Sequence, residues 1–133
     1  MRALADRSYD IRDIGAAIGS GSFKSERMVV IPCSMKTLSA LAHSYDENLL
    51  ARTGDVTLKE RRKLILVARE TPLHLGHLRN MEAIAEMGGI ILPPSPAFYH
   101  RPKTIEEIID HVTARILDLF DIKHDLFPRW QGI

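Results

Sequence analysis

Lys-Glu-Arg-Arg-Lys-Leu-Ile-Leu-Val-Ala-Arg-Glu-Thr-Pro, residues 59–72, sets a charge cluster, an unbroken apolar run and a second group of charges end to end. The apolar run at 64–68 is too short for a helix and has no polar alternation, which predicts a strand covered on both faces, as in a parallel sheet. Thr71 and Pro72 supply an N-cap and a first helical position for a helix that follows directly. Arg69 and Glu70 are therefore expected at the carboxyl end of a buried strand, just before a helix N-terminus, where open α/β sheets place ligands.

Working outward, Met-Val-Val-Ile at 28–31 predicts a second buried strand, which Pro32 should end because proline cannot donate to a central ladder. Ile-Ile-Leu at 90–92 predicts a third. Ser34 can cap a helix running to about His43, and 49–61 has helical spacing with Leu50, Val56 and Leu58 among charges. The helix after Pro72 should continue through Leu78, Met81, Ile84 and Ala85 and close at Gly88-Gly89. A last helix starts at Thr104, with Glu106 and Glu107 in its first turn and an expected apolar stripe of Ile105, Ile108, Ile109, Val112, Ile116 and Leu119; Arg115 lies beside that stripe. Upstream, Ile11, Ile14 and Ile18 fall on one helical face and predict a short amphipathic helix over 9–18.

The 133 residues suffice for one domain, 1–133, with no repeats, low-complexity tracts or linkers to divide it. Eighteen Lys and Arg face seventeen Asp and Glu, so no basic field exists to bind nucleic acid or an anionic membrane without specificity. Any anion must be held locally. The single Cys33 excludes an internal disulfide and fits a reducing compartment, and no apolar run approaches the roughly 18 residues of a membrane span. Residues 1–5 have no signal-peptide pattern, which leaves the cytoplasm as the expected location.

Several groups could carry chemistry. Gly19-Ser20-Gly21-Ser22 is either a loop whose N–H and hydroxyl groups cradle a phosphate or a plain turn, and it matches neither the dinucleotide nor the P-loop fingerprint. The helix start at Ser34, with Thr37, suits an anion, although Ser34 would cap with no ligand at all. Arg52 and Lys59 stand seven apart, about two helical turns, so both can point toward one anion. The run 59–63 can equally be a solvated face. Cys33 lacks a visible histidine partner, so an inert buried thiol is weighed against a nucleophile. His74 and His77 lack a third nearby ligand and the glutamate of a zinc-protease motif, which argues for no metal. Pro93, Pro94 and Pro96 stiffen a loop that presents Phe98, Tyr99, His100 and Arg101, and the apolar tail 125–133 reads as a docking segment for a partner subunit.

Gly-Ser-Gly-Ser-Phe at 19–23, Pro-Cys-Ser-Met-Lys-Thr at 32–37, Leu-Lys-Glu-Arg-Arg at 58–62, Arg-Glu-Thr-Pro-Leu at 69–73, Pro-Ala-Phe-Tyr-His-Arg-Pro at 96–102 and Arg-Trp at 129–130 together resemble the UbiX-type flavin prenyltransferases, in order and over nearly the whole chain. The resemblance implies a three-layer flavodoxin-like (Rossmann-like) α/β fold, a parallel sheet with helices on both faces, assembled as a homo-oligomer, in relatives a dodecamer. It implies transfer of a dimethylallyl group from dimethylallyl phosphate to reduced flavin mononucleotide (FMN), without a metal. The product is the prenylated-FMN cofactor of a UbiD-type decarboxylase, serving ubiquinone synthesis or phenolic acid decarboxylation.

By the same resemblance, Ser22, Ser34, Met35, Lys36, Thr37 and Arg52 contact the flavin, and Lys59, Arg69, Tyr99 and Arg115 hold the prenyl phosphate. Glu70 corresponds to a carboxylate that assists proton transfer as phosphate departs, Lys59 shares the catalytic group, and Trp130 to an aromatic near the prenyl group. The chemistry is coherent: breaking an allylic C–O bond leaves phosphate and an allyl cation, which cations and a π face respectively stabilise. Relative to the family the chain is amino-terminally truncated, since the first strand, a Gly-rich turn with its serine and the next strand are expected before the point where Met1 aligns. An alternative reading is therefore a truncated, catalytically impaired flavin-binding or accessory subunit of an aromatic acid decarboxylase system. The related peptidyl- and pantothenoyl-cysteine decarboxylases carry Pro-x-Met-Asn where this chain has Pro-Cys-Ser-Met-Lys-Thr, which argues against them.

Overall fold

In the computed structural model, which describes residues 4–127 and Arg129, the apolar run of 64–68 lies in the middle strand of a three-stranded parallel sheet. Arg27–Cys33 (β1) and Ile90–Ile91 (β3) flank Lys63–Ala68 (β2), with Val30 opposite Leu66 and Ile65 opposite Ile90. Residues 64–68 are all buried, at no more than 2 % exposure, so both faces of β2 are covered as its composition requires. Met35–Ala42 (α1) and Leu49–Lys59 (α2) join β1 to β2, and Leu75–Glu86 (α3) joins β2 to β3. On one face of β2, Leu64, Leu66 and Ala68 pack with Val30 and Cys33 of β1, Leu38 and Leu41 of α1, Leu58 of α2 and Ile84 of α3. The chain divides into two compact units, one ending at Leu92 and one beginning at Pro93; the second holds Ile105–Leu119 (α4).

The helix starts are capped by side chains. Ser34 Oγ accepts from the Thr37 N–H (3.2 Å) and Asn48 Oδ1 from the Ala51 N–H (3.0 Å). At α4 the capping is reciprocal: Thr104 Oγ1 accepts from the Glu107 N–H (3.2 Å), while the Glu107 carboxylate accepts from the Lys103 N–H (2.6 Å). Helix α3 ends with Gly88 at φ 91° and the Gly89 N–H on the Ile84 carbonyl (2.9 Å), the expected glycine stop.

Five expectations are corrected. Residues 9–18 form successive turns leading into a three-residue 3₁₀ helix, Ala17–Gly19, because the Asp10 carboxylate takes the Arg12 N–H (2.9 Å) and offers the backbone a local alternative to an α-helix. Strand β1 runs past Pro32 to Cys33, with an irregular register between Val30 and Cys33; it is an edge strand with Ile31 exposed, and there the missing N–H costs little. Helix α2 stops at Lys59, and Arg61 takes a left-handed φ of 57° where glycine is the usual choice. Helix α3 begins at Leu75 with His74, not Thr71, as its cap: His74 Nδ1 accepts from the Gly76 N–H (3.0 Å). Finally, Ile105 and Ile109 of α4 are 71 % and 57 % exposed, and the buried positions are His111, Ala114 and Ile116.

Candidate functional site

Helix α2 places Arg52 and Lys59 on one side, and both line an open cleft of about 570 Å³ with Gly19, Ser20, Gly21 and Asp46. Their shared side follows from the seven-residue spacing. Each cation already has a carboxylate. The Arg52 guanidinium donates to Asp46 Oδ2 (2.8 Å) and to the Gly19 carbonyl (3.1 Å), and Lys59 Nζ meets Glu60 Oε1 at 2.8 Å, holding the Glu60 carboxyl below the usual carboxylate range. Asp46 Oδ1 is buried with no hydrogen-bond partner among the described residues.

The glycine-serine loop forms a turn, with the Phe23 N–H on the Ser20 carbonyl (3.1 Å) and the Ser20 and Ser22 hydroxyls 2.9 Å apart. Its glycines sit at close approaches: a Cβ on Gly19 would stand 3.1 Å from the Ile14 carbonyl, and one on Gly21 would displace the flexible ends of Glu60 and Lys59. Arg62 fastens this loop, donating to the carbonyls of Gly21 (2.8 Å) and Phe23 (3.0 Å) and to Ser25 Oγ (3.3 Å). The run 59–63 is therefore not simply a solvated face. Sequence reasoning missed Arg62 because nothing in its neighbours marks a contact to a segment some forty positions away.

At the start of α1, Ser34 Oγ also lies 3.1 Å from Thr37 Oγ1, Met35 is half-buried against the core, and exposed Lys36 pairs with Glu47 (3.2 Å). The first N–H groups of a helix have no intrahelical acceptor, so this terminus keeps its capacity for an anion while being capped. Cys33, just before it, is buried, and burial pushes its thiol up to about 11. That removes it as a nucleophile at neutral pH.

Arg69 and Glu70 are exposed at the carboxyl end of β2, on a loop of residues 69–74, and Glu70 Oε1 accepts from the Thr71 N–H (3.1 Å). His74 and His77 stack with ring centroids 3.6 Å apart, and no group of three or more potential metal ligands occurs among the described residues.

The second unit has its own cleft of about 330 Å³, lined by Tyr99, His111, Arg115, Asp118, Phe127 and Arg129. Asp118 anchors it: Oδ1 accepts from Arg129 (2.7 Å) and His124 Nε2 (3.1 Å), and Oδ2 from Arg115 (3.1 Å). The Arg129 hydrogen bond above all, with His124, holds the Asp118 carboxyl below its ordinary value. The Tyr99 hydroxyl lies 3.2 Å from His111 Nε2. Burial first, and then the charges of His100 and Arg115, push the His111 imidazole below its ordinary pKa. The structure thus joins Arg52 with Lys59, Ser34 with Thr37, Arg69 with Glu70, and Tyr99 with Arg115. Trp130 lies outside the described residues.

Comparison with known proteins places these clusters in context. Residues 10–122 match the family model described as Flavoprotein. The flavin prenyltransferase UbiX of Salmonella typhimurium is 57 % identical over 134 residues, covering 99 % of this chain and 71 % of the relative, and that of Thauera aromatica is 57 % identical with 99 % and 68 % covered. Among solved structures, AnUbiX (PadA1) in complex with FMN and dimethylallyl pyrophosphate superimposes with a TM-score of 0.97 at 52 % identity, covering 99 % of this chain and 70 % of that one. A dodecameric FMN-dependent UbiX-like decarboxylase from Escherichia coli O157:H7 does so with a TM-score of 0.95, also at 52 % identity, covering 98 % and 70 %.

Proposed function

The chain belongs to the UbiX family of flavin prenyltransferases, with its flavodoxin-like α/β fold, and on that premise we propose that it joins a dimethylallyl group from dimethylallyl phosphate to reduced FMN. The observation that carries the reading is the close superposition on a relative that holds FMN and dimethylallyl pyrophosphate, at 52 % identity. The residues present fit such ligands: two cations on one cleft beside a glycine-serine loop, an orphaned carboxylate oxygen able to accept a hydrogen bond, and a capped helix start.

Ser22, Ser34, Met35, Lys36, Thr37 and Arg52 would hold the flavin, which when bound in its reduced form supplies the nucleophile. The resemblance assigns Lys59, Arg69, Tyr99 and Arg115 to the phosphate, in a site built from more than one subunit that Tyr99 or Arg115 would complete. As the allylic C–O bond breaks, its electron pair leaves with the phosphate oxygen, and fixed cations stabilise that charge without reorganising. Glu70, beside Arg69, would pass a proton to the departing phosphate oxygen.

The proposal extends to a homo-oligomer, a dodecamer like the E. coli relative, and to a UbiD-type decarboxylase as recipient of the product. It treats 1–133 as one functional domain, since the family match runs through both compact units. It also places the chain in the cytoplasm; among the described residues no helix is long and apolar enough to cross a membrane. Crystals soaked with FMN and dimethylallyl phosphate should show flavin at Ser34 and Arg52 and phosphate density within reach of Arg69. Neither ligand appearing would overturn the assignment.

A further inference from the structure

Two separate segments fix the Arg52 guanidinium. Nε donates to the carbonyl of Gly19, 33 positions earlier (3.1 Å), and Nη1 donates to Asp46 Oδ2 in the connection between α1 and α2 (2.8 Å). The stem is confined as well, since a Cβ on Gly19 would stand 3.2 Å from Arg52 Cγ. A planar guanidinium tied through two of its three nitrogens holds the third in a set direction. That third nitrogen, Nη2, has no acceptor among the described residues, and Arg52 lines the cleft that Lys59 also lines.

Neither folding stability nor net attraction calls for a carboxylate here. The pair is partly exposed, 39 % for the Arg52 side chain and 26 % for that of Asp46, and an ion pair so screened contributes little to folding. Asp46 Oδ1 is buried without a partner among the described residues, which works against stability. By charge alone, a carboxylate on this cleft also opposes an anionic ligand. Direction is the task that remains. We propose that Asp46 is a positioning residue: it holds Nη1 and, with the Gly19 carbonyl, sets the Arg52 guanidinium so that Nη2 is offered to the flavin. This deepens the functional reading above and rests on it for the identity of the ligand.

Two measurements test it. Ligand-free crystals of D46A should show the Arg52 guanidinium off the Gly19 carbonyl, and those of D46N, whose amide oxygen can still accept from Nη1, should show it in place. A guanidinium unmoved in D46A overturns the proposal whether or not the protein turns over. Calorimetric titration with FMN should show D46A weakening binding about tenfold, even though it removes a negative charge from an anion's cleft. D46N removes the same charge and should recover most of the affinity. On an R52A background, D46A should cost nothing further. Tighter or unchanged FMN binding by D46A, no recovery in D46N, or losses that add to those of R52A would overturn the proposal. Failure of the functional reading looks different: the unmutated chain takes up no FMN, or binds it without any prenylated flavin forming, while the crystals still decide whether Asp46 fixes Arg52.

Discussion

Glu70 is exposed, and its recorded hydrogen bond is to the adjacent backbone at Thr71, so its side chain has little packing role. Glu70→Gln is therefore expected to leave folding and flavin affinity intact while slowing prenyl transfer about a hundredfold, the usual scale for a positioned proton donor. Single-turnover kinetics would read this, and an unchanged rate would remove Glu70 from the mechanism. Asp118 yields a prediction in pH. Its folded pKa is depressed, first by Arg129, so the unfolded chain binds more protons on the acid side. The stability it contributes is full above about pH 4 and lost as pH falls through the depressed folded value. Denaturant melts should show a shallower acid loss in Asp118→Asn than in the parent, and equal slopes would contradict the assignment. Arg52 and Lys59 were legible because a helix repeats, and seven positions must return to the same side. Arg62, Asp118 and His111 were not, since their work depends on carbonyls and rings that folding brings near.

At the scale of elements, β2 could be read from composition alone, because five apolar residues in a row are intolerable unless both faces are covered. The start of α3 could not. Thr71-Pro72 carries every sequence mark of a helix start, yet His74 caps the helix and leaves 69–74 as a loop bearing Arg69 and Glu70. Residues 9–18 failed similarly: isoleucine spacing suggested a helix, but the Asp10 side chain and Gly15 favoured turns. The end of α3 offers a clean backbone test. Gly88 has φ 91°, and an added Cβ would meet nothing within 4 Å, so Gly88→Ala changes only conformational strain. It should cost about 1–2 kcal/mol in urea unfolding; no loss would mean the turn relaxes freely. The loop 19–25 is tied down by Arg62, and Arg62→Ala should weaken flavin binding as well as stability, each measurable by titration and melting.

For the whole molecule, exposed apolar side chains point to association: Ile105 and Ile109 on α4 and Leu75 and Leu78 on α3 remain open to solvent in the single chain. Light scattering at micromolar concentration should give a mass several times 15.0 kDa, and a monodisperse monomer would contradict the proposed oligomer. Family membership was legible because six short motifs occur in the right order, whereas the pairing of cations with Asp46, Glu60 and Asp118 was visible only in three dimensions. On the proposed function, those pairs would present an incoming phosphate with cations already held in place, as preorganised stabilisation of a leaving group requires. The most direct test is anaerobic incubation of the purified chain with reduced FMN and dimethylallyl phosphate, followed by mass spectrometry of the flavin. The account predicts a flavin heavier by one prenyl unit with release of inorganic phosphate; unmodified FMN recovered from a protein that binds both ligands would contradict it.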